Sequence, residues 1–178
     1  MRMLAARGIG AALPDLPGCG DSPIRSDALD LTLIRRATCD IAEELNHAGR
    51  TRFVASLRSA CLFDDIPGVR GRWRLAPENG DKLMRTLLRT TDGSTDDPHR
   101  RFIAGQYLPT SFVEELAGAT ATDDQPARVV RLTSDRADAD FKFDGSPLWR
   151  RSEPMDDIQF SQCVADDISN WIATCAAS

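Results

Sequence analysis

The sequence predicts an α/β fold built on a mainly parallel sheet. Short apolar or alternating runs recur at residues 9–13, 52–57, 69–75, 128–133 and 140–143, and stretches of helical periodicity separate most of them. The run at 9–13, "IGAAL", sits between Gly8 and Pro14 and reads as a short strand buried in such a sheet. The chain has 178 residues with 42% apolar content, which suits one domain with a sizeable core. Strands alternating with helices then define the class.

Each element has a local reason. Residues 1–6 read as the end of a helix closed by Gly8. After the strand at 9–13, the Pro- and Gly-rich residues 14–23 form a loop. Ser26 is the expected N-cap of a helix over 27–47, whose Leu29, Leu33, Ile34, Ala37, Ile41 and Leu45 recur at helical spacing before Gly49. "RFVASL" at 52–57 is the next strand and 60–65 a short helix. "VRGRWRL" at 69–75 alternates as a strand does. Residues 78–90 form an amphipathic helix with Leu83, Leu87 and Leu88 inward. The polar loop 92–98, "DGSTDDP", is the expected site of greatest flexibility. A strand or turn from Phe102 leads to a helix near Ser111, and residues 117–125 form a linker. Strands follow at 128–133 and 140–143, and a last amphipathic helix spans 158–173.

Composition excludes several functions. The net charge is −5 with both signs interspersed, unlike the concentrated basic face of a nucleic-acid or anionic-membrane binder. The arginine pairs 35–36, 100–101 and 150–151 are scattered and read as solvated surface. Five cysteines, an odd number with no C-x-x-C pair, support neither a disulfide framework nor a zinc site; reduced thiols in a cytoplasm fit better. The apolar start of the chain is broken by Arg7, Gly8 and Gly10, so no signal peptide is read, and no run is long enough for a membrane span. No cofactor motif is present: the Gly-rich turn lacks G-K-[ST] and carries Asp15 and Asp21.

That turn, "GIGAALPDLPGCGDS", resembles a signature of α/β-hydrolases, in which a strand runs into a D-x-x-G-x-G-x-S turn. Asp15, Gly18, Gly20 and Ser22 occupy the motif positions. The glycines permit a sharp exit, and the Asp and Ser side chains can bind turn amides. "RFVASLRSACLF" then looks like the strand, elbow and helix that carry the nucleophile in that fold. With "RWRLAPENGDKLMRTLLR" and "PLWRR", the combination is most similar to exosortase-associated hydrolases of bacterial exopolysaccharide systems. Trp73, Pro77, Gly80, Leu88 and Arg89 match a segment of that group. The resemblance implies a partial α/β-hydrolase fold over residues 1–178, N-terminally truncated relative to the family, with a helical cap insert at about 78–119 packing across the strand ends. It also implies that a strand is missing between those at 9–13 and 52–57. If the two close up and pair directly, the strand at 9–13 becomes an exposed apolar edge, and a homodimer through that edge is expected.

The catalytic inventory is incomplete. An elbow needs small flanking residues, and Ser56 and Ala60 supply them around Arg58, which cannot act as a nucleophile near neutrality. A shift by one places Ser59 at the nucleophile position with the bulkier flanks Leu57 and Cys61. Asp135 follows the strand where the family acid would sit, with Asp138 and Asp140 as alternatives; a turn Asp capping local amides is the plainer reading. Neither His47 nor His99 is placed to serve an elbow Ser, and no metal-binding spacing is present. Cys19 and Cys61 lack a basic neighbour. Taken with the resemblance, this inventory implies a catalytically degenerate hydrolase-like protein, and the resemblance alone implies a role accessory to an exopolysaccharide or exosortase system. Arg58 would hold an anionic ligand or lie beside an acid such as Asp15, Asp21 or Asp135. The alternative is an active serine hydrolase using Ser59 and Asp135 on an ester or thioester.

Overall fold

The structure is a computed structural model that describes residues 1–46, 49, 51–89, 97–123, 126–147, 149 and 157–177. Its centre is a four-stranded, wholly parallel sheet of β1 (Val54–Leu57), β2 (Arg72–Leu75), β5 (Ala127–Leu132) and β6 (Phe141–Phe143), in that spatial order. The remaining elements are α1 (Arg2–Ala5), α2 (Leu31–Asn46), α3 (Gly80–Leu88), a hairpin of β3 (Arg100–Ile103) and β4 (Gln106–Pro109), α4 (Thr110–Gly118) and α5 (Ile158–Ala177). The chain is thus α/β with a mostly parallel sheet, as its alternating pattern predicts.

The pleat sorts β2 into two chemistries. Trp73 and Leu75 point to one face, Arg72 and Arg74 to the other. Across the register, Val130, Leu132 and Phe143 join the first face, and α5 covers it with Phe160, Val164, Ile168 and Trp171. Trp73 is wholly buried there, with 0% exposure. Its indole N–H donates to Asp167 of α5 at 2.8 Å, and the same carboxylate takes both ends of the Arg128 guanidinium at 2.8 and 2.6 Å. Burial opposes ionisation of Asp167, but the Arg128 and Trp73 hydrogen bonds outweigh it and hold the carboxyl below its ordinary range. At the start of the chain, α1 packs on α5, with Arg7 bound to Asp166.

A second core contains no residue of this sheet. It gathers Leu29, Leu31 and Ile34, Cys61 and Leu62 from a 3-10 turn (Arg58–Phe63), Met84 of α3, Ile103 of β3, and Phe112, Val113 and Leu116 of α4. The segment expected as a cap is therefore two helices and a hairpin, wrapped around their own core with α2. The hairpin turns through Ala104 and Gly105, both at positive φ (51° and 84°), as a two-residue connection between right-twisted strands requires. α3 and α4 approach through Gly80: a Cβ there would lie 1.6 Å from the Leu116 carbonyl oxygen, and the Gly80 amide donates to Ala119 O at 2.9 Å.

Several expectations are corrected. Residues 9–13 form no strand: Leu13 is 81% exposed, and Asp15 and the following turn lead the chain onto the second core instead. A dimer through that strand falls with it; among the described residues the edges of the sheet are β1, which pairs with β2 alone, and β6, which pairs with β5 alone. Ser26 does not cap the helix. A 3-10 turn (Ser26–Ala28) intervenes, and Asp30 takes the Leu33 amide at 2.6 Å, so α2 starts at Leu31. Its buried positions are Leu31, Ile34, Thr38 and Ala42, while Leu45 is exposed. In α3, Met84 is buried and Leu88 exposed, a rotation of the expected face. His47 and residues 92–96 of the polar loop lie outside the described residues.

Replacing Asp167 with Asn tests the anchoring of α5. A lowered carboxyl pKa contributes stability that is present above the unfolded value of roughly 3.9 and is lost as pH falls through the folded value. Urea unfolding should therefore show Asp167→Asn less stable than wild type at pH 7, with the difference shrinking at pH 3. A constant difference across that range contradicts the assignment.

Candidate functional site

The C-terminal ends of β1 and β2 lie side by side, because Leu57 is in register with Leu75. Each strand is followed by a non-glycine residue in the left-handed region, Arg58 at φ 53° and Ala76 at φ 49°. Such a conformation costs on the order of 1–3 kcal/mol and persists only where its surroundings enforce it. After β1, the chain turns sharply at Arg58 and enters the 3-10 turn (Arg58–Phe63) directly. The geometry is that of a tight strand-to-helix elbow with an arginine at its apex.

The Arg58 side chain is 26% exposed and has two partners among the described residues. Its Nη2 donates to Glu78 Oε2 at 2.7 Å, and the guanidinium carbon lies 5.1 Å from the centre of the Trp149 ring. Glu78 precedes α3, and its side chain is 1% exposed; its second oxygen has no hydrogen-bond partner among the described residues. Cys61 lies beneath, donating to the Glu78 carbonyl at 3.5 Å, and burial pushes its thiol pKa up. A thiol raised in this way is a poor nucleophile.

Behind the elbow, a polar layer fills the second face of the sheet. Asp64, 2% exposed, accepts Arg74 Nε and Nη2 at 2.9 and 2.8 Å and the Ser56 hydroxyl at 2.8 Å. Arg72 Nε donates to the Asp64 carbonyl at 2.6 Å. Arg74 also donates to Thr122 O at 2.7 Å. Burial alone would weaken the Arg74 cation, but the Asp64 carboxylate more than restores it and holds its pKa above the ordinary value. Ser56 is thus consumed as a donor inside this layer.

The other residues singled out from the sequence are dispersed. Ser59 is half-buried in the first turn after the elbow, one position past its apex. Asp135 closes the turn after β5. It accepts the Ala137 amide at 3.0 Å and Arg131 Nη1 at 2.8 Å, and these contacts hold its carboxyl below the ordinary range against partial burial. No hydrogen bond or ion pair joins Asp135 to Ser59 or Arg58 among the described residues. Asp138 and Asp140 are exposed on the β5–β6 connection, where Asp140 takes the Val129 amide at 2.7 Å. Asp15 caps its own turn by accepting the Asp21 amide at 3.1 Å; Asp21 itself is exposed. Arg58 therefore pairs with Glu78 and with none of Asp15, Asp21 and Asp135. His99 is exposed before β3. All five cysteines are unpaired, and among the described residues no His, Cys, Asp and Glu side chains cluster as a metal site needs.

Sequence reasoning missed Glu78, Asp64, Arg74 and Trp149. The signal for the buried layer was present: alternation in "RWRL" places both arginines on one face, and "FDD" between the two strands offers the acid. Glu78 carried no such signal, since its partner lies across a loop. No protein-family model matches the chain, and a search of curated proteins finds no match. Among the described residues no helix is long and apolar enough to cross a membrane.

Removing one member of a buried charge cluster strands the rest. Asp64→Asn should cost about 3–5 kcal/mol, whereas Ser56→Ala, which deletes a single donor, should cost about 1 kcal/mol. Equilibrium unfolding in urea measures both, and equal losses would mean that the layer is not centred on Asp64.

Proposed function

We propose that this chain is an α/β-hydrolase-like protein that has lost its catalytic triad and serves as a binding accessory, in the cytoplasm, to a bacterial exopolysaccharide or exosortase system. The observation that carries the first part is the residue at the elbow. In an α/β-hydrolase the strained apex presents the nucleophile, and here the apex at φ 53° is Arg58. A guanidinium cannot attack an ester carbonyl, because it stays protonated at any physiological pH. What it does well is hold a carboxylate or phosphate, and Glu78 already occupies one side of it. An anionic ligand would approach the exposed side, over Trp149.

The pathway assignment is supported by the similarity of the "GCGDS", "SLRSACL" and "PLWRR" stretches to exosortase-associated hydrolases. The free thiols support a reducing compartment. The competing reading, an active hydrolase for an ester or thioester, rests on Ser59, half-buried one residue beyond the apex. Self-association is part of the same proposal, now through the free edge of β1, where Ala55 and Leu57 are exposed.

Two measurements test these readings. A fluorophosphonate probe should fail to label the protein; stable labelling that disappears in Ser59→Ala overturns the degenerate reading in favour of the hydrolase. In sedimentation across a concentration series, the protein should show a monomer–dimer equilibrium that Ala55→Pro weakens by denying β1 an edge donor. A single monomer at every concentration removes the dimer.

A further inference from the structure

An open cleft of about 690 Å³ lies on the polar face of the sheet; Pro77 and Asn79, on either side of Glu78, line it, while Arg58, Ser59 and Glu78 do not. Its floor is Arg74 and Arg131, which share that face of β2 and β5 because Arg74 is in register with Val129. Arg131 is already tied, through Nε to Asp138 O at 3.1 Å, Nη1 to Asp135 at 2.8 Å and Nη2 to Pro77 O at 3.3 Å. Asn79 flanks the floor, while Asp123, Asp138 and Asp140 stand on the rim.

The charges are unevenly layered. In the buried layer two guanidinia, Arg72 and Arg74, share the single carboxylate of Asp64, and Arg72 Nη1 is buried without a partner among the described residues. The layer thus carries a surplus positive charge in a poorly solvated place, where an unmatched ion is costly. Arg74 Nε and Nη2 are committed to Asp64 and Thr122, but among the described residues Nη1 meets only Asp123, at 3.9 Å. That carboxylate belongs to a fully exposed side chain, at 100%, and compensates a buried cation weakly. Asp123 stands where a better counter-ion would sit. The exposed Asp138 and Asp140 present acceptors above the floor.

We infer that the cleft binds a small carboxylate- or phosphate-bearing molecule whose other groups are hydroxyl donors. The anionic head lies on Arg74 Nη1, displacing Asp123, and the hydroxyls bond to the remaining aspartates of the rim, Asp138 and Asp140. A bare anion satisfies the floor but gains nothing from the rim, and a neutral polyol satisfies the rim but leaves the floor unmatched.

The test is titration of the isotope-labelled full chain, followed through backbone amide shifts, with gluconate, acetate and glycerol as probes. Gluconate should saturate shifts around residues 74, 123 and 131 and bind more tightly than acetate; glycerol should not saturate them. Inorganic phosphate and glycerol phosphate repeat the comparison for the phosphate arm. Asp123→Ala, an exposed change that leaves the core untouched, should tighten gluconate binding by about two- to fivefold through loss of the competing carboxylate. The inference is overturned if no anion shifts the cleft residues, if glycerol matches gluconate, or if Asp123→Ala leaves the affinity unchanged.

Discussion

The Asp64 carboxylate is the interaction on which the rest depends. It is buried between β1 and β2, and it accepts Ser56 from the first strand and Arg74 from the second. Its own backbone carbonyl takes Arg72. One residue thereby fixes the spacing of two parallel strands, the path of the 3-10 turn between them and, through Arg74, the loop at Thr122. A purely apolar layer could give as much stability, since desolvating charges offsets much of their attraction. It could not prescribe direction in the same way. Bidentate pairing of a planar guanidinium fixes orientation as well as distance, and the turn that begins at Arg58 is positioned by it.

The two faces of the sheet therefore do different work. On the face toward α5, Trp73, Val130 and Leu132 supply close packing, with Asp167 satisfying the one polar atom of the indole. On the opposite face, polar residues separate the strands from an apolar cluster built by α2, α3, α4 and the hairpin. Both the elbow and the cleft belong to the polar side. Buried guanidinia that are tied on one side and open on the other are natural places for ligands, because the structure has already borne the cost of desolvating them.

How much of this was legible in the sequence follows from the range of each interaction. The α/β class and the four sheet strands were readable, because their signals are local alternation and apolar runs. The turn at Asp15 was readable for the same reason: a carboxylate capping an amide six residues away is a local contact, and Gly18 and Gly20 take the positive φ values that the motif requires. The apolar run at 9–13 misled, since apolarity alone does not say whether a neighbouring strand is within reach. The start of α2 misled because Ser26 and Asp30 are both good caps, and tertiary packing of Leu29 and Leu31 chose the later one. Arg58 could be placed at the elbow by its small neighbours, but its partner Glu78 could not, because that pairing depends on where the chain lands after β2.

Gly80 gives the fold a mechanical property. With the Leu116 carbonyl where a Cβ would be, the start of α3 meets the end of α4 backbone to backbone, while farther along Met84 packs among Phe112, Val113 and Leu116. Helices separated by side chains can slide by exchanging rotamers. At Gly80 there is no rotamer to exchange, so the crossing is pinned at that one end. Glu78 at the elbow and Asn79 at the cleft directly precede this pinned crossing, so a residue larger than glycine at position 80 would disturb both places at once.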